Sequence, residues 1–361
     1  MNSINFQILC AGPGLGFYVP GLKLCDQLRE RGVSADVDVI EGLLLDEKQD
    51  NVAKAKKLFH ENFTFAKTAQ LVAKDLSPFL DRDKVSKLFS AWDKKDIRKF
   101  VLFSGFWLPI IDEYVDKGSY KSFTVVLCHV DCDYSTSWGL FPNVNSEYIQ
   151  LWVCNWETKA VNFHFETALH GNLSYNGIYN NLLVHGGGWG IGNYQDAVAE
   201  LIDSPYSLNI LGYQHKDLNM TSCRCKYFYL DPNWKNWIKD DGGNCQYPSI
   251  KSVGDEFTEL YDSTKVISFD DLCNESGAIV SKPGGGTLID SLSFETPLII
   301  LDPFGEYEQK NGLLWELLGL GISFNDWKRD GFSNKILLDI HQNLKRKKKD
   351  TISIAEYLIE L

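Results

Sequence analysis

Three glycine-rich clusters carry the residues best suited to chemistry in this sequence: AGPGLG at 11–16, GGGWGIG at 186–192 and KPGGGT at 282–287. Successive glycines let backbone N–H groups approach an anion, and a helix that follows turns its positive end toward it. In the first cluster Gly12, Gly14 and Gly16 fit G-x-G-x-G, but Phe17 stands where the dinucleotide fingerprint G-x-G-x-x-G closes. Asp36 and Asp38 follow about 20 residues on, where that fingerprint has its ribose-binding acid. The broken third glycine leaves a nicotinamide or flavin enzyme as a weak alternative. The other two clusters are more specific in shape. Gly187, Gly188 and Gly190 in one, and Lys282, Gly284, Gly285, Gly286 and Thr287 in the other, can together grip the two phosphates of a nucleotide diphosphate. Gly14 is the matching candidate in the first cluster. Lys282 precedes its glycines, so this is not a P-loop. The plainer alternative is tight turns with no ligand.

Each cluster lies between a strand and a helix. Asn5 to Cys10 is a short apolar run; Leu22, Leu24, Cys25 and Leu28 then give a helical face that stops at Gly32. Val33 to Ile40 alternates as a second strand, and Lys99 to Phe103 and Phe123 to Val130 read as further ones. Tyr148 to Cys154 and Ala160 to Phe165 form an aromatic strand pair that closes this half. The pattern restarts at Leu182 to Val184, with a helix from Asn193 to about Ile202 and a strand from Ser207 to Leu211. Residues 216–250, rich in Asn, Asp, Lys and aromatics, read as an insertion. Ala278 to Val280, a helix to about Phe294 and the strand Pro297 to Leu301 resume the fold. Two such openings predict an α/β chain of two doubly wound, Rossmann-like domains, 1–175 and 176–340, followed by a helical segment at 341–361.

Composition agrees with that size. The chain has 361 residues, enough for two domains, and its 44% hydrophobic and 23% charged content excludes a disordered or collagen-like protein. No apolar run approaches the roughly 18 residues of a spanning helix, and the start does not read as a secretory signal. Nine cysteines, an odd and sparse set, fit reduced thiols in a cytoplasm. Cys223, Cys225 and Cys245 lack the paired C-x₂-C spacing of zinc sites, so no metal is expected. A net charge of −12 argues against a nucleic-acid binder driven by bulk charge. Residues 51–100 run the other way, with 12 basic against 6 acidic side chains interleaved with Leu58, Phe59, Phe63 and Phe65. They read either as surface helices with solvated lysines or as a face for an acceptor or a peripheral membrane contact.

SKPGGGTLIDSLSFETPLIIL at 281–301, followed by GEYEQKNGLLWELLGLGISF at 305–324, resembles the nucleotide-binding half of GT-B glycosyltransferases. The pattern is similar to that of monogalactosyldiacylglycerol synthases and of the N-acetylglucosaminyltransferase of lipid II synthesis. The resemblance implies two Rossmann-like domains facing across a cleft, with the C-terminal helix packing back on the first. It places Asp290 where the family has the acid that holds the ribose of UDP. It matches Glu308, Gln309 and Asn311 to a loop contacting the donor sugar. The first half fits less tightly, and Phe17 stands where the family has a His used as general base or to place the acceptor. The segment His129 to Trp138 resembles the strand-end acid and downstream Trp of the acceptor cleft.

The resemblance therefore implies an inverting, metal-independent transfer of sugar from a nucleotide diphosphate, with UDP-sugar as co-substrate and no other cofactor. Such a reaction needs a base near the acceptor hydroxyl and charge stabilisation for the leaving diphosphate. Lys282 and the two glycine turns are candidates for the second. Asp131 and Asp133 are candidates for the first, since residues two apart on a strand share a face. Both also fit as turn or capping acids, or as acceptor contacts. His170 and His185 read as hydrogen-bonded core or loop residues, or as ligand contacts. A sugar-nucleotide hydrolase or epimerase on the same fold, and a non-catalytic nucleotide-binding subunit, are the competing functions. The acceptor is open between lipid and soluble classes, with a small soluble metabolite preferred.

Overall fold

The computed structural model of the chain describes residues 5–12, 15–70, 74–118, 122–167, 180–188, 190–213, 224–231, 233–253 and 267–361. Gly14, His170, Trp189 and Cys223 lie outside the described residues. The chain forms two compact units. Unit 1 comprises Met1–Glu166, Lys235–Tyr247 and Ile352–Leu361, and unit 2 comprises Thr167–Trp234 and Pro248–Thr351.

Unit 1 is built on β1 (Asn5–Cys10), β2 (Ser34–Val39), β3 (Lys99–Leu102), β4 (Thr124–His129) and β5 (Ile149–Trp152). They form one parallel sheet in the order β2-β1-β3-β4-β5. The near-continuous burial of β1, β3 and β4 explains their apolar sequences, because a doubly wound sheet is covered on both faces. Its helices are α1 (Leu15–Glu30), α2 (Asp46–Glu61), α3 (Phe63–Gln70), α4 (Arg82–Lys94), α5 (Leu108–Lys117) and α6 (Thr136–Gly139). Helix α1 stops where Gly32 takes the left-handed φ of +74°. Helix α4 starts where the Asp81 carboxylate accepts from the Asp83 and Lys84 amides. Trp92, Phe100 and Tyr114 pack edge-to-face in the core, with Trp92 5.0 Å from each of the other two rings. The basic stretch folds as α2, α3 and α4, and Leu58 and Phe65 stay exposed.

Two expectations for this half change. Of the aromatic strand pair, only Ile149–Trp152 joins the sheet. The rest makes a two-stranded hairpin of β6 (Cys154–Asn155) and β7 (Ala160–Val161), then β8 (Phe163–His164). Residues 235–247, expected within an insertion of the second half, group with unit 1. They run beside the edge strand β2, where Lys239 pairs with Asp38 at 2.9 Å and the Cys245 thiol donates to Val37 O. Tyr18 OH donates to Gln246 O at 2.8 Å on the same segment. Covering an edge strand hides its unpaired backbone groups.

Unit 2 carries β9 (Asn181–His185), β10 (Ser207–Gly212), β11 (Cys225–Leu230), β12 (Ile250–Ser252), β13 (Ala278–Ser281), β14 (Leu298–Ile300) and β15 (Gly321–Ser323). Their order is β12-β11-β10-β9-β13-β14-β15, parallel throughout except for the antiparallel β12. Leu182, Val184, Ile210, Val280 and Ile299 form its core. Its helices are α7 (Tyr194–Leu201), α8 (Phe269–Asn274), α9 (Gly285–Ser293), α10 (Glu306–Leu317), α11 (Phe324–Arg329) and α12 (Asn334–Lys349). The expected insertion thus contains a strand of the main sheet, because CKYFYL hides its buried Tyr227, Phe228 and Leu230 among polar neighbours. The chain end is not one helix. After α12 come β16 (Ile352–Ser353), paired with β8, and α13 (Ile354–Glu360), capped by Ser353.

Candidate functional site

Strand order decides where a ligand can sit. From β9 the chain winds outward through β10 and β11, and from β13 it winds the other way through β14 and β15. The carboxyl ends of β9 and β13 therefore flank a topological switch point, the usual ligand crevice of open α/β sheets. The turn at 186–192 follows β9 and the turn at 282–284 follows β13, so two of the glycine clusters meet there.

Lys282 links them. Gly187 and Gly190 hold left-handed φ values of +73° and +58°. A side chain at Gly187 would begin 3.6 Å from Lys282 Cε, and one at Gly192 3.9 Å from its Cδ. The Lys282 ammonium is ion-paired with Glu308, whose other carboxylate oxygen accepts the Phe304 N–H at 2.7 Å. A Cβ at Gly284 would lie 3.0 Å from Glu308 Oε1 and 3.3 Å from Lys282 Nζ, so the glycine leaves the pair room. Gly284 caps α9, and Gly285, Gly286 and Thr287 form its first turn, which places the positive end of α9 beside the ammonium. Asp290 is buried further along this helix.

The structure separates Glu308, Gln309 and Asn311 by role. Glu308 and Asn311 share the buried face of α10, three residues apart. Asn311 Nδ2 donates to Pro283 O at 2.9 Å, so both side chains hold the 282–284 turn from behind. Gln309 is exposed and, with Asn193 and Asp302, borders a cavity of about 230 Å³ in unit 2.

His185 ends β9. Its Nδ1 accepts the Gly187 N–H at 3.0 Å, which fixes the root of the first turn. Burial, with the nearby Lys282 charge, pushes its imidazole down to about 3.

In unit 1, Asp131 and Asp133 lie beyond the end of β4, in a bend, so strand alternation does not place them on one face. Asp131 is buried; Asp133 is half-buried and accepts the Tyr134 N–H at 2.8 Å. Beside them the His129 ring stacks on Trp152 at 4.1 Å and lies 4.6 Å from Trp138. Burial pushes the His129 imidazole down to about 4, against the Gln150 hydrogen bond that raises it. Phe17 sits half-buried in the first turn of α1. Asp36 is ion-paired with Arg29 and Lys95, and Asp38 with Lys239, so neither is the unengaged ribose acid that a dinucleotide site needs.

Two residues that carry weight here left no motif in the sequence. Glu41, fully buried after β2, accepts the Gly12 N–H on both carboxylate oxygens at 2.9 Å, and burial raises it to about 7. Asn236, on the returning segment, packs so closely that a Cβ on Gly12 would lie 1.5 Å from its Nδ2. Glycine at position 12 was readable; the partners that require it are distant in sequence.

These groups give a pH dependence with a definite sign. His129 and His185 bind protons less readily folded than unfolded, so their contribution is lost as pH falls below about 6.5. Glu41 acts oppositely, favouring the folded chain as pH falls from about 7 toward 4.5. Of these three groups, two losses oppose one gain between about pH 6.5 and 4.5, so their net contribution to stability falls as the pH falls. Thermal melts should show it, and Glu41→Gln should steepen it. A flat or shallower profile in the variant would contradict the assignment.

No protein-family model matches the sequence, and no curated protein matches it. Solved structures do. The glycosyltransferase SsfS6 of Streptomyces sp. SF2575 is similar over 99% of this chain and 100% of its own, at 10% identity and a TM-score of 0.56. SnogD of Streptomyces nogalater, also a glycosyltransferase, is similar over 99% and 98%, at 12% identity and 0.54. The spinosyn rhamnosyltransferase SpnG complexed with thymidine diphosphate is similar over 99% of each chain, at 11% identity and 0.54. At these identities the likeness is one of fold. The chain has the GT-B architecture of two Rossmann-like domains.

Proposed function

We propose that the protein is a glycosyltransferase that moves a sugar from a nucleotide diphosphate to an acceptor hydroxyl with inversion. The observation that carries this reading is the meeting of two glycine turns, the start of α9 and a half-buried lysine at the switch point of unit 2. In the reaction the acceptor oxygen loses its proton, attacks the anomeric carbon, and the bond to the diphosphate breaks. Lys282 and the turn amides stabilise the charge on the departing diphosphate. Asp133 is the proposed proton acceptor, since of the two candidate carboxylates it is the more exposed. SpnG was solved with thymidine diphosphate, so thymidine and uridine diphosphate donors are both included. The monogalactosyldiacylglycerol synthase and lipid II resemblance favours UDP. A lipid acceptor reached through the basic face of α2 and α3, where Leu58 and Phe65 are exposed, competes with a small soluble one. Among the described residues no helix is long and apolar enough to cross a membrane.

Asp290 is assigned to the donor ribose. Asp290→Ala should weaken UDP binding by about 1.5–3 kcal/mol, the range for a hydrogen bond to a charged group. Unchanged affinity in calorimetry would remove that assignment.

The function itself is tested by incubating the protein with UDP- and dTDP-sugars, with and without a panel of lipid and small-molecule acceptors. Nucleotide diphosphate released only with an acceptor, together with a glycosylated product, is the expected result. Free or isomerised sugar without acceptor would favour a hydrolase or epimerase, the reading that Phe17 in place of a His supports. No turnover with any pair, and no nucleotide bound, would contradict both.

A further inference from the structure

Four aromatic rings gather where β4 and β5 end in unit 1: His129, Tyr134, Trp138 and Trp152. The His129 ring stacks on Trp152, with the planes 16° from parallel. Tyr134 stands edge-on to both, at 87° and 5.3 Å from His129 and at 78° and 5.0 Å from Trp152. A stacked pair with a third ring upright against it makes a right-angled corner. Burial separates its members. His129 and Trp138 are buried and form the back of the corner. Trp152 is half-buried and Tyr134 stays 56% exposed, so the open side belongs to these two.

The corner is held in place. Val153 N–H donates to His129 O at 2.9 Å and Trp156 N–H to Cys132 O at 2.8 Å, so the bend after β4 is laced to the chain after β5. Tyr134 N–H donates to the Asp133 carboxylate, which keeps the exposed ring and the proposed proton acceptor together. Aromatic rings pair offset-stacked or edge-to-face at about 4.5–7 Å, and two accessible rings at right angles offer both contacts to one flat ligand. An acyl chain makes neither. The chemistry favours the same ligand. A phenol loses its proton far more readily than an aliphatic alcohol, at about 10 in tyrosine itself, so a carboxylate suffices as its base.

We propose that Tyr134 and Trp152 bind the acceptor, and that the acceptor is a flat aromatic ring whose hydroxyl is directed to Asp133. The proposal rests on the glycosyltransferase reading above and names the acceptor class that reading leaves open. The phenol proton passes to the Asp133 carboxylate, and the phenol oxygen bonds to the anomeric carbon. The bond from that carbon to the diphosphate breaks, and its electron pair leaves on the diphosphate.

The test sets umbelliferone, a flat phenol, against octanol and dioctanoylglycerol, each offered with UDP- and dTDP-sugars. Binding of umbelliferone with UDP present is followed by its fluorescence, which needs no turnover. The parent should bind umbelliferone and glycosylate it in preference to both aliphatic alcohols. Tyr134→Ala should weaken umbelliferone binding and raise its KM about 10-fold, the scale of one lost aromatic contact. UDP affinity and melting temperature should stay at the parent values, because the side chain is exposed and lies outside the donor grip. Tyr134→Phe keeps the ring and should keep the binding. A parent that binds UDP but not umbelliferone, or that prefers either aliphatic alcohol, would overturn the proposal and leave the proposed function standing. Unchanged umbelliferone binding in Tyr134→Ala would overturn it as well. No nucleotide bound and no sugar transferred to any acceptor would overturn this proposal and the proposed function together.

Discussion

Lys282→Met is expected to remove nucleotide-diphosphate binding and to lower turnover by about 10²–10³-fold, the usual effect of deleting one preorganised charge-stabilising group. The same change should destabilise the protein. Glu308 is 4% exposed at its side chain and would keep only the Phe304 amide as a partner. Breaking a buried pair from one side costs about 3–5 kcal/mol. Stability and function part company in the double variant. Lys282→Met with Glu308→Gln removes the stranded charge and should recover most of the lost stability, while nucleotide binding stays absent. A double-mutant cycle with chemical denaturation and calorimetry reads both quantities. If Lys282→Met binds UDP normally, the lysine serves only the ion pair, and the diphosphate site lies elsewhere.

The second large effect concerns proton transfer. Asp133→Asn is expected to lower turnover by about 10²–10⁴-fold, the usual worth of general base catalysis, with UDP affinity unchanged. Asp131→Asn tests the contrast. Asp131 is buried, so its substitution should act on the melting temperature more than on chemistry. Near-normal turnover in Asp133→Asn, with the loss appearing in Asp131→Asn, would exchange the two roles. Normal turnover in both would leave the acceptor to arrive already ionised, or point to chemistry without proton abstraction.

Much of the frame was legible because it rests on residues with few substitutes. Glycines after apolar runs mark the turns at 186–192 and 282–287, and the buried runs LLV and AIV mark the two strands that flank the switch point. The grouping of those strands followed from the restart of the pattern. What stayed hidden depends on contacts between distant residues. Strand β11 is a short aromatic run, YFY, set among polar residues, so a strand of the main sheet looked like part of an insertion. Residues 235–247 return to unit 1 through single side chains such as Lys239 and Cys245, which no local pattern announces. On α10 the polar Glu308 and Asn311 looked like ligand contacts, yet they face inward, because a lysine and a proline carbonyl await them. Asp131 and Asp133 were placed by strand periodicity, which fails once the strand ends at His129.

The most direct measurement is a crystal structure of the protein soaked with UDP and, separately, with dTDP. The diphosphate should lie at the switch point of unit 2, with its oxygens within hydrogen-bond distance of Lys282 Nζ and of backbone amides in the turns at 186–192 and 284–286. A nucleotide seated elsewhere, or one whose diphosphate makes no contact with Lys282 or either turn, would contradict the assignment of this site as the donor grip.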